Sequence, residues 1–299
     1  MKNNFIFFTI AIVAFILFGC EEKNTENATI SIVYENDDHW DIENSLEVTT
    51  LTVTFNTNKG NLISPITGLD PGNIIERPVV PTRSGFERVF VGWYDQAFET
   101  AFDFCSPILN NITLYAKWRP HELGETGPGG GTIFYRRESG FIMTDDNSIA
   151  HYLEAALNNM PTVLAWASSK FIPEQYFLGE EGDWLNVQGT SRAIGTGRRN
   201  TALILALDAE APAARAANEY YSNGKTNWFL PSYYELRALL QKRDYFENLA
   251  INDHQPYHSS TQTAPSSVAV LCYSIAIDPD RSSHSLKNAI MSVRAIRAF

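Results

Sequence analysis

The most continuous hydrophobic pattern in the chain is an apolar run from Phe5 to Phe18, which closely follows Lys2. The run is about 14 residues long, whereas a membrane-spanning helix needs roughly 20. A basic start followed by a short apolar core is typical of a signal peptide, and the pattern ends at Gly19-Cys20. We therefore predict a signal peptide over residues 1–19, with an uncleaved membrane anchor as the alternative.

Alternating β-branched, aromatic and polar residues predict three strands further along the chain. They are residues 51–55 (LTVTF), 89–94 (VFVGWY) and 112–118 (ITLYAKW). Asn58-Lys59-Gly60-Asn61 predicts a turn after the first strand. A unit of about 70 residues is small for a stable domain, so we expect its aromatic side chains to fill the core. Cys105 has no second cysteine close to it in the sequence and is expected to be a buried apolar residue.

The pattern then becomes helical in the second half of the chain. Two Ala-rich stretches, residues 200–209 and 212–221, predict helices, and a proline suits the first turn of the second one. Ser232 and Glu235 have the spacing of a capping box, which predicts a third helix that reaches about Arg243. Its buried side is predicted to carry Leu236, Leu239 and Leu240.

Strand patterns also occur at both ends of this second region. Residues 268–277 form a strongly apolar stretch, and residues 292–299 close the chain with a strand pattern. Because residues 132–136 have a strand pattern as well, we expect them to pair with the terminal strand, residues 293–299.

The strand and helix patterns predict an α+β protein, and 299 residues are enough for two units, residues 49–118 and 119–299, joined by the Gly/Pro-rich stretch near 119–127. The chain is 44% hydrophobic, which is enough to build cores. Its net charge of −11 argues against a general nucleic-acid binder, and its three cysteines exclude a disulfide scaffold. Much of the acidity lies in residues 20–48, which are predicted to be an extended tether.

The end of the apolar run carries a first resemblance. Leu17-Phe18-Gly19-Cys20 resembles the lipobox of bacterial lipoproteins. The resemblance implies cleavage before Cys20 and attachment of a lipid to its sulfur. Multiple acyl chains hold a protein firmly on a membrane. We therefore expect a lipid-anchored protein of the bacterial cell envelope, exposed at the surface.

Four separated segments carry a second resemblance. Residues 53–56 (VTFN), 81–86 (PTRSGF), 92–94 (GWY) and 113–118 (TLYAKW) resemble, in this order, one Listeria–Bacteroides repeat, also called the internalin B-repeat. The resemblance implies a small β-grasp-like fold that serves as a spacer or protein-interaction module in surface proteins.

The rest of the chain resembles the Legionella collagen-like protein C-terminal domain family. The segments that carry this resemblance include residues 127–135 (GPGGGTIFY), 152–156 (YLEAA), 228–232 (WFLPS), 257–261 (YHSST) and 293–299 (VRAIRAF). The WFLPS and terminal RAF elements are also similar to C-type-lectin-like and formylglycine-generating folds. This likeness implies a larger α+β domain, and a fold alone implies no activity.

Two glycine clusters are candidate phosphate loops. Residues 124–131 contain five glycines, but a phosphate loop needs Gly-Lys-Ser/Thr at the start of a helix, and Thr132 begins a predicted strand. Residues 195–197 (GTG) also lack the strand-to-helix context of a dinucleotide site. We interpret both clusters as places where the backbone turns tightly.

The remaining candidate chemistry is weak. His254 and His258 have the spacing of a helical zinc pair, but Pro256 between them breaks such a helix. Ser259 and Ser260 follow His258 without the signature of a nucleophile elbow. We therefore expect no catalytic residue, no metal and no cofactor. The acidic turns at residues 145–147 and 278–280 leave calcium open as an alternative.

Tryptophans are the best candidates for ligand contact, because the apolar faces of sugar rings stack on aromatic rings. Trp184 lies in a polar loop, and we take Trp184, Trp166 and His258 as candidate ligand-binding residues. Core packing is the alternative for each tryptophan, and Trp228 is expected in the core.

The sequence as a whole favours a surface-anchored lipoprotein that acts as a binding or adhesion module. The repeat would be the spacer, and the larger unit would face a glycan or an extracellular or matrix protein. The membrane is the other expected partner, and nucleic acid is not expected. The alternatives are an envelope enzyme on a formylglycine-generating-like scaffold and a purely structural envelope protein.

Overall fold

The computed structural model describes residues 50–85, 87–171, 185–246, 249, 256–264, 267–271 and 283–299. The predicted signal peptide, the tether, Cys20 and Trp184 lie outside these residues. The described chain divides into two compact units. The first unit contains residues 50–82 and 90–117, and the second contains residues 83–89 together with the described part of 118–299.

A four-stranded mixed sheet organises the first unit. Its strands are β1 (Leu51–Asn56), β2 (Ile66–Leu69), β3 (Glu87–Tyr94) and β4 (Ile112–Pro120). Their order is β2-β1-β4-β3, with β1 antiparallel to β2 and parallel to β4. The three strands predicted from sequence are confirmed. The fourth, β2, was missed because its sequence, ITGL, is short and contains a glycine.

The core of the first unit is aromatic, as its composition predicts. Val53 and Phe55 alternate inward along β1, and the ring of Phe55 lies 4.9 Å from that of Trp93. The predicted turn is present, with positive φ at Asn58 and Lys59. The expectation that Cys105 is buried is wrong, because Cys105 is exposed and disulfide-bonded. The residue before it, Phe104, is buried in its place.

The second unit combines two three-stranded sheets with three helices. The first sheet has the order β10-β6-β5, from β5 (Thr132–Ile142), β6 (Ile149–Ala155) and β10 (Ile296–Ala298). The second has the order β7-β8-β9, from β7 (Tyr257–Ala264), β8 (Ser267–Leu271) and β9 (Ser283–Leu286). The helices are α1 (Gly197–Leu207), α2 (Pro212–Asn218) and α3 (Tyr233–Leu240).

The terminal strand does not pair with residues 132–136, contrary to the sequence prediction. β10 pairs with β6 in antiparallel register, so that Ile296 faces Ala155, and β6 separates β10 from β5. Beyond β10, the Phe299 amide donates to the Tyr152 carbonyl at 3.1 Å. The physical reason is that β5 and β6 form a hairpin, so the edge of β6 that faces away from β5 is the one left for β10.

The Gly/Pro-rich stretch predicted to join the units is bonded to the second unit. The Gly124 amide donates to the Ile133 carbonyl at 2.8 Å, and the Ile133 amide donates to the Glu125 carbonyl at 2.9 Å. Arg119 forms an ion pair with Glu125 at 2.6 Å. This stretch is therefore an ordered extension of the sheet and differs from the open linker that its composition indicates.

The third helix begins as the sequence predicts. The Ser232 side chain accepts from the Glu235 amide, and the Glu235 carboxylate accepts from the Ser232 amide, which completes the capping box. The three leucines predicted on its buried side are all buried. The helix ends at Leu240, and a separate 3₁₀ turn over Arg243–Tyr245 follows it.

The chain is an α+β protein with more strand than helix, which confirms the coarse fold class. Within the described part of the chain, no helix has the length and apolar character needed to cross a membrane.

Candidate functional site

The first glycine cluster binds a carboxylate of its own chain. Gly129 and Gly131 donate their amides to the buried carboxylate of Glu154, at 2.9 and 3.1 Å. Arg297 completes this contact with an ion pair of 2.6 Å. Burial raises the pKa of Glu154, whereas Arg297 and the two amides favour its charged form. A Cβ on Gly131 would overlap the Ala155 carbonyl, so the loop needs glycine for close packing.

The second glycine cluster is built in the same way around Glu235. The amides of Gly195 and Ser232 donate to its carboxylate at 2.8 and 2.7 Å. A Cβ on Gly197 would overlap an oxygen of the same carboxylate. Burial raises the pKa of Glu235 to about 7. Close approach to the protein's own carbonyl and carboxylate groups therefore accounts for Gly131 and Gly197.

Trp166 is not a surface residue, which corrects its assignment as a ligand platform. Its side chain is 0% exposed, and its indole N–H donates to the Ser259 carbonyl at 2.9 Å. A fully buried ring has no face on which a sugar can stack. Trp228 lies in the same core cluster, as expected.

His258 is also a core residue, so its assignment as a ligand contact is corrected as well. Its Nε2 lies 3.0 Å from the carbonyl oxygens of Leu164 and Ala289. Because both oxygens only accept, Nε2 carries the proton, and the ring is bonded to main chain rather than to Ser259 or Ser260. Its Nδ1 is buried without a hydrogen-bond partner. Burial lowers the pKa of His258 to about 4.

A buried lysine that the sequence reasoning missed lies against Trp166. Lys287 Nζ is 4.7 Å from the centre of the Trp166 ring and donates to the Leu185 carbonyl and to Gln262 Oε1. Burial lowers the pKa of Lys287 to about 7. The sequence around it, Ser-Leu-Lys-Asn, is that of an ordinary exposed turn and gives no signal of burial.

The carboxylates of the acidic turn at residues 145–147 are paired with an arginine side chain. Arg198 donates to the carboxylates of Asp145 and Asp146 at 2.5 and 2.6 Å. No group of three or more His, Cys, Asp or Glu side chains among the described residues is arranged to hold a metal ion. Calcium at Asp145 and Asp146 is therefore disfavoured, and the second acidic turn lies outside the described residues.

The second unit carries a surface cavity of about 450 Å³, which lies in the size range of ligand pockets. We call it the Tyr245 groove. It is lined by Glu122, Leu123, Arg136, Glu138 and Tyr245. Three separate parts of the chain build it: the ordered stretch before β5, β5 itself and the 3₁₀ turn after α3.

The first unit carries a larger surface cavity of about 680 Å³ between the loop of residues 95–106 and the start of β4. Its charged lining residues are both acidic, Asp95 and Asp103. Each accepts hydrogen bonds within its own turn, from the amides of Glu99 and Cys105 at 3.0 Å. These carboxylates are thus used to hold the loop in shape.

The residues predicted for ligand binding do not form one site. Trp166 and His258 lie in the core, while Cys20 and Trp184 lie outside the described residues. The residues of the Tyr245 groove were missed. Tyr245 lies more than a hundred residues after the other four, and no short motif marks them.

Comparisons with known proteins identify a domain family for one part of the chain. A fimbrial protein from Bacteroides ovatus is similar in structure, with a TM-score of 0.37 and 12% identity over 84% of this chain and 70% of that one. This similarity is below the level at which two chains share a fold. No curated protein matches the chain. Residues 52–117 match the Listeria-Bacteroides repeat domain, which confirms that repeat and fits a surface or adhesion-type protein.

Proposed function

We propose that the protein is a bacterial lipoprotein, anchored through Cys20 and displayed at the cell surface, where it acts as a binding or adhesion module. The observation that carries this proposal is the Listeria-Bacteroides repeat at residues 52–117. The apolar run that ends in Leu17-Phe18-Gly19-Cys20 supports the anchor.

Each part of the chain has a role in this proposal. The acidic residues 20–48 are the tether, the repeat is the spacer, and residues 119–299 are the head that meets a glycan or an extracellular protein. The sheet order β2-β1-β4-β3, with its parallel central pair, supports a β-grasp-like repeat. The terminal strand β10 shares a sheet with β5 and β6, which supports a C-type-lectin-like head.

The anchor is tested by growing cells that express the protein with radioactive palmitate. We expect wild-type protein to be labelled and to pellet with membranes. Cys20→Ala should lose the label and either leave the membrane fraction or keep the mass of the uncleaved precursor. Asn24→Ala is the matched control, because it changes the predicted tether and leaves every cysteine in place, and it should keep the label.

Surface display is tested on the same cells with an external protease. The wild-type protein should be digested on intact cells. An unlabelled wild-type protein, or one that is digested only after lysis, would contradict the proposal.

A further inference from the structure

We propose that the Tyr245 groove binds a neutral carbohydrate, which makes it the ligand site of the head. This inference rests on the proposed function in one respect, namely that the second unit faces a ligand. It assigns both the place and the chemical class of that ligand, neither of which follows from the match to the repeat.

The groove offers an aromatic ring that is held in place. Tyr245 is 45% exposed. Its ring packs on Gly124, which has φ +88°, and a Cβ at that position would lie 3.0 Å from the ring carbon Cδ1. The absence of a side chain at Gly124 therefore lets the ring pack closely on the backbone there. A half-exposed aromatic ring suits the apolar C–H face of a pyranose.

Polar groups surround this ring in the combination that sugar hydroxyls need. The carboxylates of Glu122 and Glu138 accept hydrogen bonds, and the guanidinium of Arg136 donates them. Arg136 Nη2 donates to Glu138 Oε1 at 2.9 Å, so a donor and an acceptor lie side by side in the groove. A hydroxyl both donates and accepts, so it can bond to either type of group.

Charge decides between classes of carbohydrate. The groove holds two carboxylates and one guanidinium, so its own lining carries a net negative charge. An anionic polysaccharide such as heparin would meet repulsion from the carboxylates of Glu122 and Glu138. Neutral hexoses and N-acetylhexosamines carry no such penalty.

Size and composition disfavour a protein partner at this place. A stable protein interface buries on the order of 1,200–2,000 Å² and has a hydrophobic centre. The groove is a concave space of about 450 Å³ whose apolar contributions are one ring and one aliphatic side chain, Leu123. Such a space fits a few sugar units better than a folded protein.

The experiment uses the purified protein without its first twenty residues on an array of immobilised carbohydrates. The array contains neutral oligosaccharides of hexose and N-acetylhexosamine units, together with heparin and polygalacturonate. We expect the wild-type protein to bind one or more neutral members and to bind the acidic ones less. Tyr245→Ala should weaken the best neutral interaction by about tenfold or more. Glu138→Ala should weaken it as well.

Tyr234→Ala is the matched control. Tyr234 is 44% exposed, nearly the same as Tyr245, and does not line the groove. We expect this variant to bind like the wild type, and circular dichroism spectra should show that all variants are folded. The proposal is overturned if no carbohydrate binds, if an acidic polysaccharide binds best, or if Tyr234→Ala loses as much affinity as Tyr245→Ala. The palmitate and protease experiments are unaffected by these results, so the anchored location and the groove fail separately.

Discussion

Glu154 and Glu235 show how this protein holds carboxyl groups in its core. Each accepts hydrogen bonds from at least two backbone amides, and glycines in the donating loops permit the close approach. Without such partners, a buried carboxylate would cost several kcal/mol. The capping box of Glu235 could be predicted because Ser232 is only three residues away. The contact between Gly129 and Glu154 spans 25 residues, so the sequence indicated a tight turn but not its purpose.

His258 makes stability depend on pH in a defined direction. Its pKa in the folded protein is about 4, below its ordinary value of 6.5, so the unfolded chain binds the proton first as the pH falls. Stability is therefore fully present above pH 6.5 and is lost as the pH falls towards 4. The loss by pH 4.5 amounts to about 2–3 kcal/mol.

The contribution of His258 is measured by urea unfolding of the wild type and of His258→Gln at pH 7.5 and 4.5. Glutamine keeps an N–H donor but does not titrate. The comparison with the variant is needed because the pKa of Glu235 is raised to about 7, so Glu235 makes the folded protein more stable as the pH falls from 7 to 4.5. We expect the stability advantage of the wild type over the variant to shrink by about 2–3 kcal/mol on acidification. An advantage that is equal at both pH values would contradict a buried, neutral His258.

At the scale of elements, local sequence patterns predicted which strands and helices form, whereas contacts between distant residues decided which strands pair. Strands β1, β3 and β4, and the start of α3, follow from alternation and capping within a few residues. The partner of β10 did not follow, because a strand pattern alone specifies no neighbour. The hairpin of β5 and β6 forms between close segments and leaves an edge of β6 for the terminal strand.

The terminal strand is expected to be essential for the stability of the second unit. Ile296 is fully buried in β10 and pairs with Phe229 as well as with β6. Ile296→Ala should lower the free energy of unfolding by about 2–5 kcal/mol, because it leaves a cavity in the core. Ile290→Ala is the matched control, since that side chain is 67% exposed, and it should change stability by less than about 0.5 kcal/mol. Urea unfolding followed by tryptophan fluorescence checks both values, and similar losses in the two variants would contradict the role of β10.

At the scale of the whole molecule, each unit has its own buried residues, and the division between the units falls inside β3 and β4 as well as in the loop after Thr82. The length of the chain predicts two units, and the Gly/Pro-rich composition near residues 119–127 predicts an open connection between them. Glycine and proline indicate where a chain turns and do not show whether the turn is bonded. The Tyr245 groove could not be predicted for a related reason, because it exists only when the turn at Tyr245 meets residues 122–138, more than a hundred residues earlier in the chain.

The ordered state of this stretch leads to a prediction for limited proteolysis with a protease that cuts after glutamate. Glu122 and Glu125 lie in the stretch, and the main-chain bonds of Gly124 and Glu125 to Ile133 hold it in place. Cleavage needs an opened backbone, so we expect the first cuts after the glutamates of the predicted tether, residues 20–48, and not after Glu122 or Glu125. Mass spectrometry of the earliest fragments identifies the sites. Gly124→Ala is the comparison variant, because a side chain at φ +88° is strained and pushes on Tyr245, and it should expose Glu122 to earlier cleavage. An early cut after Glu122 in the wild-type protein would mean that the stretch opens as freely as a linker.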